Sequence, residues 1–186
     1  RVSGSTLYVN YSSDAEEMKS QVTALADEAV AAAIDDGMTD TEKVAALNSW
    51  IVDNMEYDYE ALAAIESTLG RLVLDDTGRY SDARGGLIDK LVICGGYADT
   101  FNLLARKAGL ESVYVSGIVA ESGSGHAWNH VKVEGEWKAI DTTWNDGGDE
   151  TEYLLINESD FTGVAERTTR DSGWIVPQYQ HLYATP

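Results

Sequence analysis

The hydrophobic period of this sequence changes once, near Gly109, and that change limits the architectures open to the chain. Upstream, apolar residues recur at helical intervals. Met18, Val22, Leu25, Ala29 and Ala32/Ala33 follow the capping-box spacing Ser13-Asp14-Ala15-Glu16 and run toward Gly37. Thr39-Asp40-Thr41-Glu42 opens a second stripe of Val44, Leu47, Trp50, Ile51 and Met55. A third begins at Cys94 and continues through Tyr97, Ala98, Phe101, Leu103 or Leu104, Ala105 and Ala108 to Gly109. Between them, residues 75–86 read as a loop, with Asp75-Asp76, Gly78 and Gly85-Gly86. Downstream, strand-like runs occupy 112–120, 127–133, 137–142 and 153–156, punctuated by Gly123-Ser124-Gly125 and Glu134-Gly135-Glu136. Short connections favour antiparallel pairing, and helices followed by strands predict an α+β fold rather than alternating βαβ units.

No repeat or Pro/Ser-rich linker divides the 186 residues, and both prolines lie near the C-terminus, so one domain over 1–186 is expected. Its helical part covers about 13–70 and an extension covers 147–186. The 44% apolar content, with ten Tyr and five Trp, is core-forming material that an acidic disordered tail lacks. A net charge of −19 repels a polyanion and argues against nucleic acid as a partner. No apolar run reaches the roughly 20 residues that span a bilayer. A single cysteine excludes an internal disulfide and a multi-cysteine metal site.

That cysteine sits in Ile93-Cys94-Gly95-Gly96-Tyr97-Ala98, where the third helical stripe begins. A helix N-terminus carries partial positive charge and unpaired N–H groups, which favour a thiolate. The two glycines remove bulk where a substrate backbone would approach. A lone buried thiol is more often a small core hydrophobe, and Leu91-Val92-Ile93 in front fits that ordinary role. Of the three histidines, His126 starts a strand-like run after a Gly/Ser turn, at the rim of a sheet. His130 reads as a surface or turn-adjacent strand residue and His181 as a tail residue. No cysteine or Glu motif completes a zinc set around His126 and His130, so no metal site is expected.

An imidazole that acts as a base needs a third group to hold it, and Asp141 is the natural candidate. A turn centred near residue 135 pairs 130 with 140 and sets 126 opposite 144. Asp141 then reaches His126 only through a register offset or a diagonal contact. Its ordinary role would be to cap a turn.

These residues resemble the transglutaminase-like superfamily. Cys94-Gly95-Gly96-Tyr97-Ala98 is similar to the C-x-G-Y-A segment of that family, and His126-Ala127-Trp128-Asn129 with Val131 to its H-A-W-N-x-V strand. Gly135-Glu136-Trp137 followed by Asp141-Thr142-Thr143-Trp144 is similar to its G-x-W…D-x-T-W segment. The blocks stand in family order, 32 and 15 residues apart at the key positions, and Trp50-Ile51…Asn54…Tyr57-Asp58 resembles the stretch that precedes them. The likeness covers roughly 44–146.

The resemblance implies a papain-like core: N-terminal helices and a Cys-bearing helix packed on an antiparallel sheet. It implies Cys94 as nucleophile, His126 as general base and then acid, and Asp141 as the residue orienting His126. The chemistry implied is acyl transfer on a peptide or amide carbonyl through a thioester. Water as acceptor makes a peptidase or amidase, the outcome favoured here, and a Lys amine makes a cross-linking transglutaminase. Many bacterial relatives carry an aromatic residue about ten positions before the cysteine. Here Arg84 stands in that place, with Tyr80 displaced, so Arg84, Tyr80 or the Cys94 N–H with another group would hold an oxyanion.

A non-enzymatic module on the same fold is the other reading. Trp128, Trp137, Trp144 and Trp174 would then line a groove, with core packing as their ordinary role. Gly95, Trp128 and Trp144 complete the expected groove residues. No cofactor is expected. No EF-hand-type loop is present, and Asp146-Gly147-Gly148-Asp149-Glu150 reads as an exposed turn rather than an ion site. The expected partner is a peptide or protein substrate; oligomeric state is not legible. The chain starts at Arg1 without Met or an apolar leader, as a trimmed or mature product would, with any export signal outside it. The acidity and single cysteine suit an extracellular or cell-surface bacterial domain, and a truncated cytoplasmic protein fits them too.

Overall fold

A computed structural model describes residues 14–67, 78–161 and 164–166. Two helices lead: α1 (Ala15–Ala33) and α2 (Asp40–Asn54). Helix α2 opens on a complete capping box. Thr39 Oγ1 accepts from the Glu42 N–H at 3.2 Å, and Glu42 accepts from the Thr39 N–H at 2.8 Å. At α1 the cap residue is Asp14, with no side-chain cap bond, and Ser13 of the expected box lies outside the described residues. Strand β1 (Glu56–Tyr57) and helix α3 (Tyr59–Ser67) follow, with Asp58 Oδ1 accepting from the Ala61 N–H at 2.8 Å.

The expected loop up to residue 86 is more ordered than its glycines implied. A 3-10 turn covers Arg79–Ser81 and a π-helical turn Gly85–Asp89; Asp75-Asp76 lie outside the described residues. Strand β2 (Leu91–Val92) pairs in parallel with β1, setting Tyr57 beside Val92, and helix α4 (Cys94–Lys107) begins two residues later.

The main sheet has the order β5-β4-β3-β6, all antiparallel: β3 (Glu111–Val119), β4 (Gly125–Val133), β5 (Glu136–Ile140) and β6 (Val164–Glu166). A short helix α5 (Thr142–Asp146) replaces the expected end of the third run, because Asp141 caps it. Residues 153–156 form no strand; only Ile156 bridges to Ala139.

Alternation along β4 divides two apolar clusters. Val131 and Val133 join Phe101, Leu104, Leu47 and Ile51 in the core between the sheet and helices α1, α2 and α4. Trp128 turns the other way, onto Val113, Val115, Ala139 and Phe161. His130, expected at the surface, shares that second face between Val113 and Ala139 and is buried. Strand β4 is covered on both sides at Trp128 and His130, which is why neither reaches an open face.

The glycines after Cys94 serve packing. A Cβ on Gly96 would stand 2.4 Å from the Val92 Cβ, and one on Gly95 would stand 3.1 Å from the Ser81 carbonyl oxygen. The expectation that they clear a path for substrate is therefore replaced: they let α4 seat against β2 and the 79–81 turn. Gly96→Ala should destabilise the protein by about 1–3 kcal/mol through overpacking, read by urea unfolding. Gly125→Ala, whose Cβ meets open space, should cost far less.

Candidate active site

The nucleophile candidate is the first residue of α4. Its cap residue, Ile93, contributes no side-chain bond, and the Ile93 carbonyl takes the Gly96 and Tyr97 N–H groups at 2.8 and 3.2 Å. The Ile93 N–H donates to the Tyr80 carbonyl at 2.7 Å, which anchors the turn into the helix. Cys94 is partly exposed, and its sulfur hydrogen-bonds the His126 side chain.

His126 and Asp141 meet through a diagonal contact across β4 and β5. The observed register pairs His130 with Ala139 and Asn129 with Ile140, one residue off the expected pairing of 130 with 140. Side chains alternate faces along a strand, so this one-residue difference decides whether Asp141 shares a face with His126. The cause is the turn. Glu134 and Gly135 both have positive φ, 53° and 86°, and form a two-residue connection closing on Val133 and Glu136.

Asp141 Oδ2 lies 2.5 Å from His126 Nε2, and Asp141 Oδ1 accepts from the Thr143 and Trp144 N–H groups at 3.1 Å each. With Nε2 taken, Nδ1 is left for the Cys94 sulfur. The Trp144 ring stacks on the imidazole at 4.5 Å between centroids and 12° between planes.

Burial, the largest influence on His126, disfavours its charged form. The hydrogen bonds to Asp141 and Cys94, with the negative charges behind them, outweigh it and push the imidazole up to about 9. The imidazolium is thus held between a carboxylate and a sulfur, the arrangement of a base that becomes an acid.

A cavity of about 900 Å³ adjoins His126. His126 and Trp144 stand on its wall, as do Tyr57, Tyr59 and Gly125. Cys94 is not on the wall itself; the two side chains that touch it, His126 and Tyr57, are. Glu56, Glu66, Asp146 and Glu152 give the described wall four acids, and no Lys or Arg is among them.

Other residues singled out in the sequence stand elsewhere. Arg84 is exposed and bound to Asp82, with Nε at 2.8 Å and Nη2 at 2.5 Å, so it does not face Cys94. Tyr80 is half-buried and off the cavity wall; its carbonyl, not its phenol, supports Ile93. Gly95 is buried under Ser81 and Tyr114. Trp128 is 1% exposed and belongs to the core behind His126, 6.1 Å away, rather than to a groove. Trp137 packs on the same cluster; Trp174 and His181 lie outside the described residues. The acidic run after α5 is tied up locally: Asp146 accepts from the Tyr97 phenol, Asp149 from Thr151, and the Glu150 carbonyl from Asn48. Among the described residues, no three His, Cys, Asp or Glu side chains are placed to hold a metal ion.

The structure also adds a residue to which the sequence assigned no role. The Tyr57 phenol oxygen lies against the Cys94 backbone N–H. Its only advance signal was the Tyr57-Asp58 pair within the block that precedes the core.

Comparison with known proteins speaks to the family and the fold. A model of the transglutaminase-like superfamily matches residues 28–142. The human and mouse kyphoscoliosis peptidases are each 34% identical over 140 residues, covering 69% of this chain and 20% of those proteins. The chain therefore spans a fifth of the length of the curated relatives it matches. Among solved structures, a TGase crystal structure superposes with a TM-score of 0.56 at 21% identity, over 73% of this chain and 34% of the other. A chain provisionally named a cysteine protease, from Cytophaga hutchinsonii, gives 0.53 at 18% identity, over 82% and 44%. At those identities the two structures speak for the fold alone.

The raised imidazole value makes a stability statement. Folding favours the imidazolium, so its contribution is full below the ordinary value of 6.5 and is lost as pH rises through about 9. Urea unfolding across that window should show the wild type losing stability as pH rises. Asp141→Asn keeps a capping side chain but not the charge, and should flatten that dependence. Identical slopes for the two proteins would contradict the linkage.

Proposed function

Because the chain belongs to the transglutaminase-like superfamily, we propose that it catalyses acyl transfer from an amide carbonyl to water through a Cys94 thioester. The observation that carries this reading is the contact chain from Cys94 to His126 to Asp141 at the head of α4, beside a cavity. His126 holds the proton that Cys94 gives up, and the thiolate forms a C–S bond to the carbonyl carbon while the C=O π pair moves to oxygen. Collapse of that adduct breaks the C–N bond, and His126 delivers its proton to the departing amine. A water then attacks the thioester, loses its proton to His126 and leaves a carboxylic acid as the thiolate departs. Asp141 keeps Nε2 occupied throughout, so Nδ1 stays aimed at the reacting atoms. The curated relatives are named peptidases, which supports water as the acceptor.

Charge supports a substrate class. Four carboxylates and no described Lys or Arg on the cavity wall favour a peptide with Lys or Arg near the scissile carbonyl. The same field would attract a Lys amine, and this supports cross-linking transglutamination as the second reading. An inactive surface-binding module is the third, and thiol chemistry separates it from the first two.

Iodoacetamide should alkylate Cys94 in the native protein near neutral pH, more slowly in His126→Ala; a thiol inert until unfolding would sink the enzyme reading. On an amide substrate, His126→Ala should lower kcat by about 10²–10⁴ and Cys94→Ala should abolish turnover. Incubation with a glutamine-containing protein and a fluorescent amine separates acceptors: new N-termini or ammonia without dye incorporation supports hydrolysis, and incorporation supports transfer to an amine. A Lys-flanked peptide should be cut faster than a Glu-flanked one, with the gap narrowing as salt rises.

A further inference from the structure

We propose that helix α3 and the cavity it walls form a subsite for a Lys or Arg side chain of the peptide substrate, with the stem on Tyr59 and Leu62 and the charged head at Glu66. This subsite rests on the thiol acyl-transfer reading and gives its preference for basic peptides a place and named contacts.

Helix α3 carries an apolar face without being a core helix. Tyr59-Glu60-Ala61-Leu62-Ala63-Ala64-Ile65 is mostly apolar, yet no residue of Tyr59–Ser67 is buried. A helix this short is marginal by itself, and its start is fixed instead to the segment that leads into the nucleophile. Asp58 Oδ1 accepts from the Ala61 N–H at 2.8 Å, and the Asp58 N–H donates to the Val92 carbonyl at 3.0 Å, two residues before Cys94. Positions 59, 62 and 66 recur at helical spacing, and all three residues stand on the cavity wall. The face that would ordinarily enter a core therefore looks into the cavity that His126 adjoins. Tyr59 is 73% exposed, more than any other large apolar side chain among the described residues. A ring left in water on a cavity wall is placed for a ligand rather than for packing.

Charge and length together choose the ligand. Of the wall acids, Asp146 already accepts from the Tyr97 phenol. Glu66 makes no hydrogen bond or ion pair among the described residues. An uncommitted carboxylate alone would suit any cation, and the apolar strip leading to it narrows the choice. Helical rise sets Glu66 about 6 Å beyond Leu62 along the axis, a span that a lysine stem covers. Lys and Arg combine such a stem with a charged head, and the Tyr59 face adds attraction for the cation. A small inorganic cation would gain nothing from the strip, and an acidic side chain would be repelled at its end.

Binding to the Cys94→Ala protein tests the subsite apart from turnover. The probes are acetyl-Ala-Ala-Lys-Ala-Ala amide and its norleucine analogue, which keeps the stem and lacks the charge. Each carries an uncharged fluorophore and is read by anisotropy at low salt. The Lys peptide should bind about fivefold tighter than the norleucine peptide, and salt should narrow the gap. Adding Glu66→Gln should bring the two within about twofold by weakening the Lys peptide alone; unchanged norleucine binding shows that the site is still folded. Tyr59→Ala should weaken both peptides. Equal binding of the two peptides, binding of neither, or a Lys preference that survives Glu66→Gln would overturn the subsite. Equal weakening of both by Glu66→Gln, or no effect of Tyr59→Ala on either, would overturn it too. With Cys94 intact, a Lys peptide that binds as described and is never turned over would defeat the acyl-transfer reading and leave the subsite standing. Turnover with no Lys preference would do the reverse.

Discussion

The Asp141 carboxylate is committed on both oxygens, and the geometry around His126 depends on that double commitment. Oδ1 takes two backbone N–H groups and so starts α5. Oδ2 takes His126 Nε2. A carboxylate free to rotate would hold the imidazole loosely. One pinned by two amides presents its other oxygen in a single direction, at the cost of ordering only the backbone of α5. The cap also places Trp144, whose own N–H is one of the two donors, so that its ring stacks on the imidazole. A single acidic side chain therefore fixes the tautomer of His126, its orientation and one wall of its surroundings.

Two buried polar links keep α5 in register with the helices. Asn145 Nδ2 donates to Asn48 Oδ1 on α2 at 2.7 Å, and Asn145 Oδ1 accepts from the Tyr153 N–H at 2.8 Å. One turn beyond Cys94, the buried Tyr97 phenol donates to Asp146 at the end of α5. Burial and that carboxylate raise Tyr97 well above the usual phenol range, so the link persists as a neutral donor on a charged acceptor. Nucleophile and base stand on elements far apart in sequence, and these contacts make their separation a property of the core rather than of a loop.

The long-range geometry was legible only in part. The capping box at Thr39, the start of α4 at Cys94 and its end at Gly109 follow from local chemistry that any short window contains. The hairpin register did not. Two-residue turns of this kind ask for positive φ at both positions, which Asn-Gly and Asp-Gly advertise. Here a glutamate occupies the first, at φ 53°, and nothing about Glu134 announces that conformation. The glycines after Cys94 were legible as necessary but not for their cause, because the atoms they make room for belong to Val92 and Ser81. Trp128 looked like a groove residue until strand β4 proved to be covered on both faces.

By itself the sequence determined the inventory and its order: one thiol at a helix start, a histidine at the head of a strand, an aspartate past the following turn, and an acidic balance that disfavours polyanions. These are properties of composition, period and local capping, which neighbours along the chain decide. Only the tertiary structure decided that the 130–139 register puts Asp141 on the face of His126, that Arg84 turns to Asp82, and that Tyr57 reaches the Cys94 amide. The physical reason is the same in each case. The face a strand residue takes depends on the parity of its pairing, and the partner a side chain finds depends on elements packed from elsewhere in the chain. Neither is encoded in the spacing of the residues themselves.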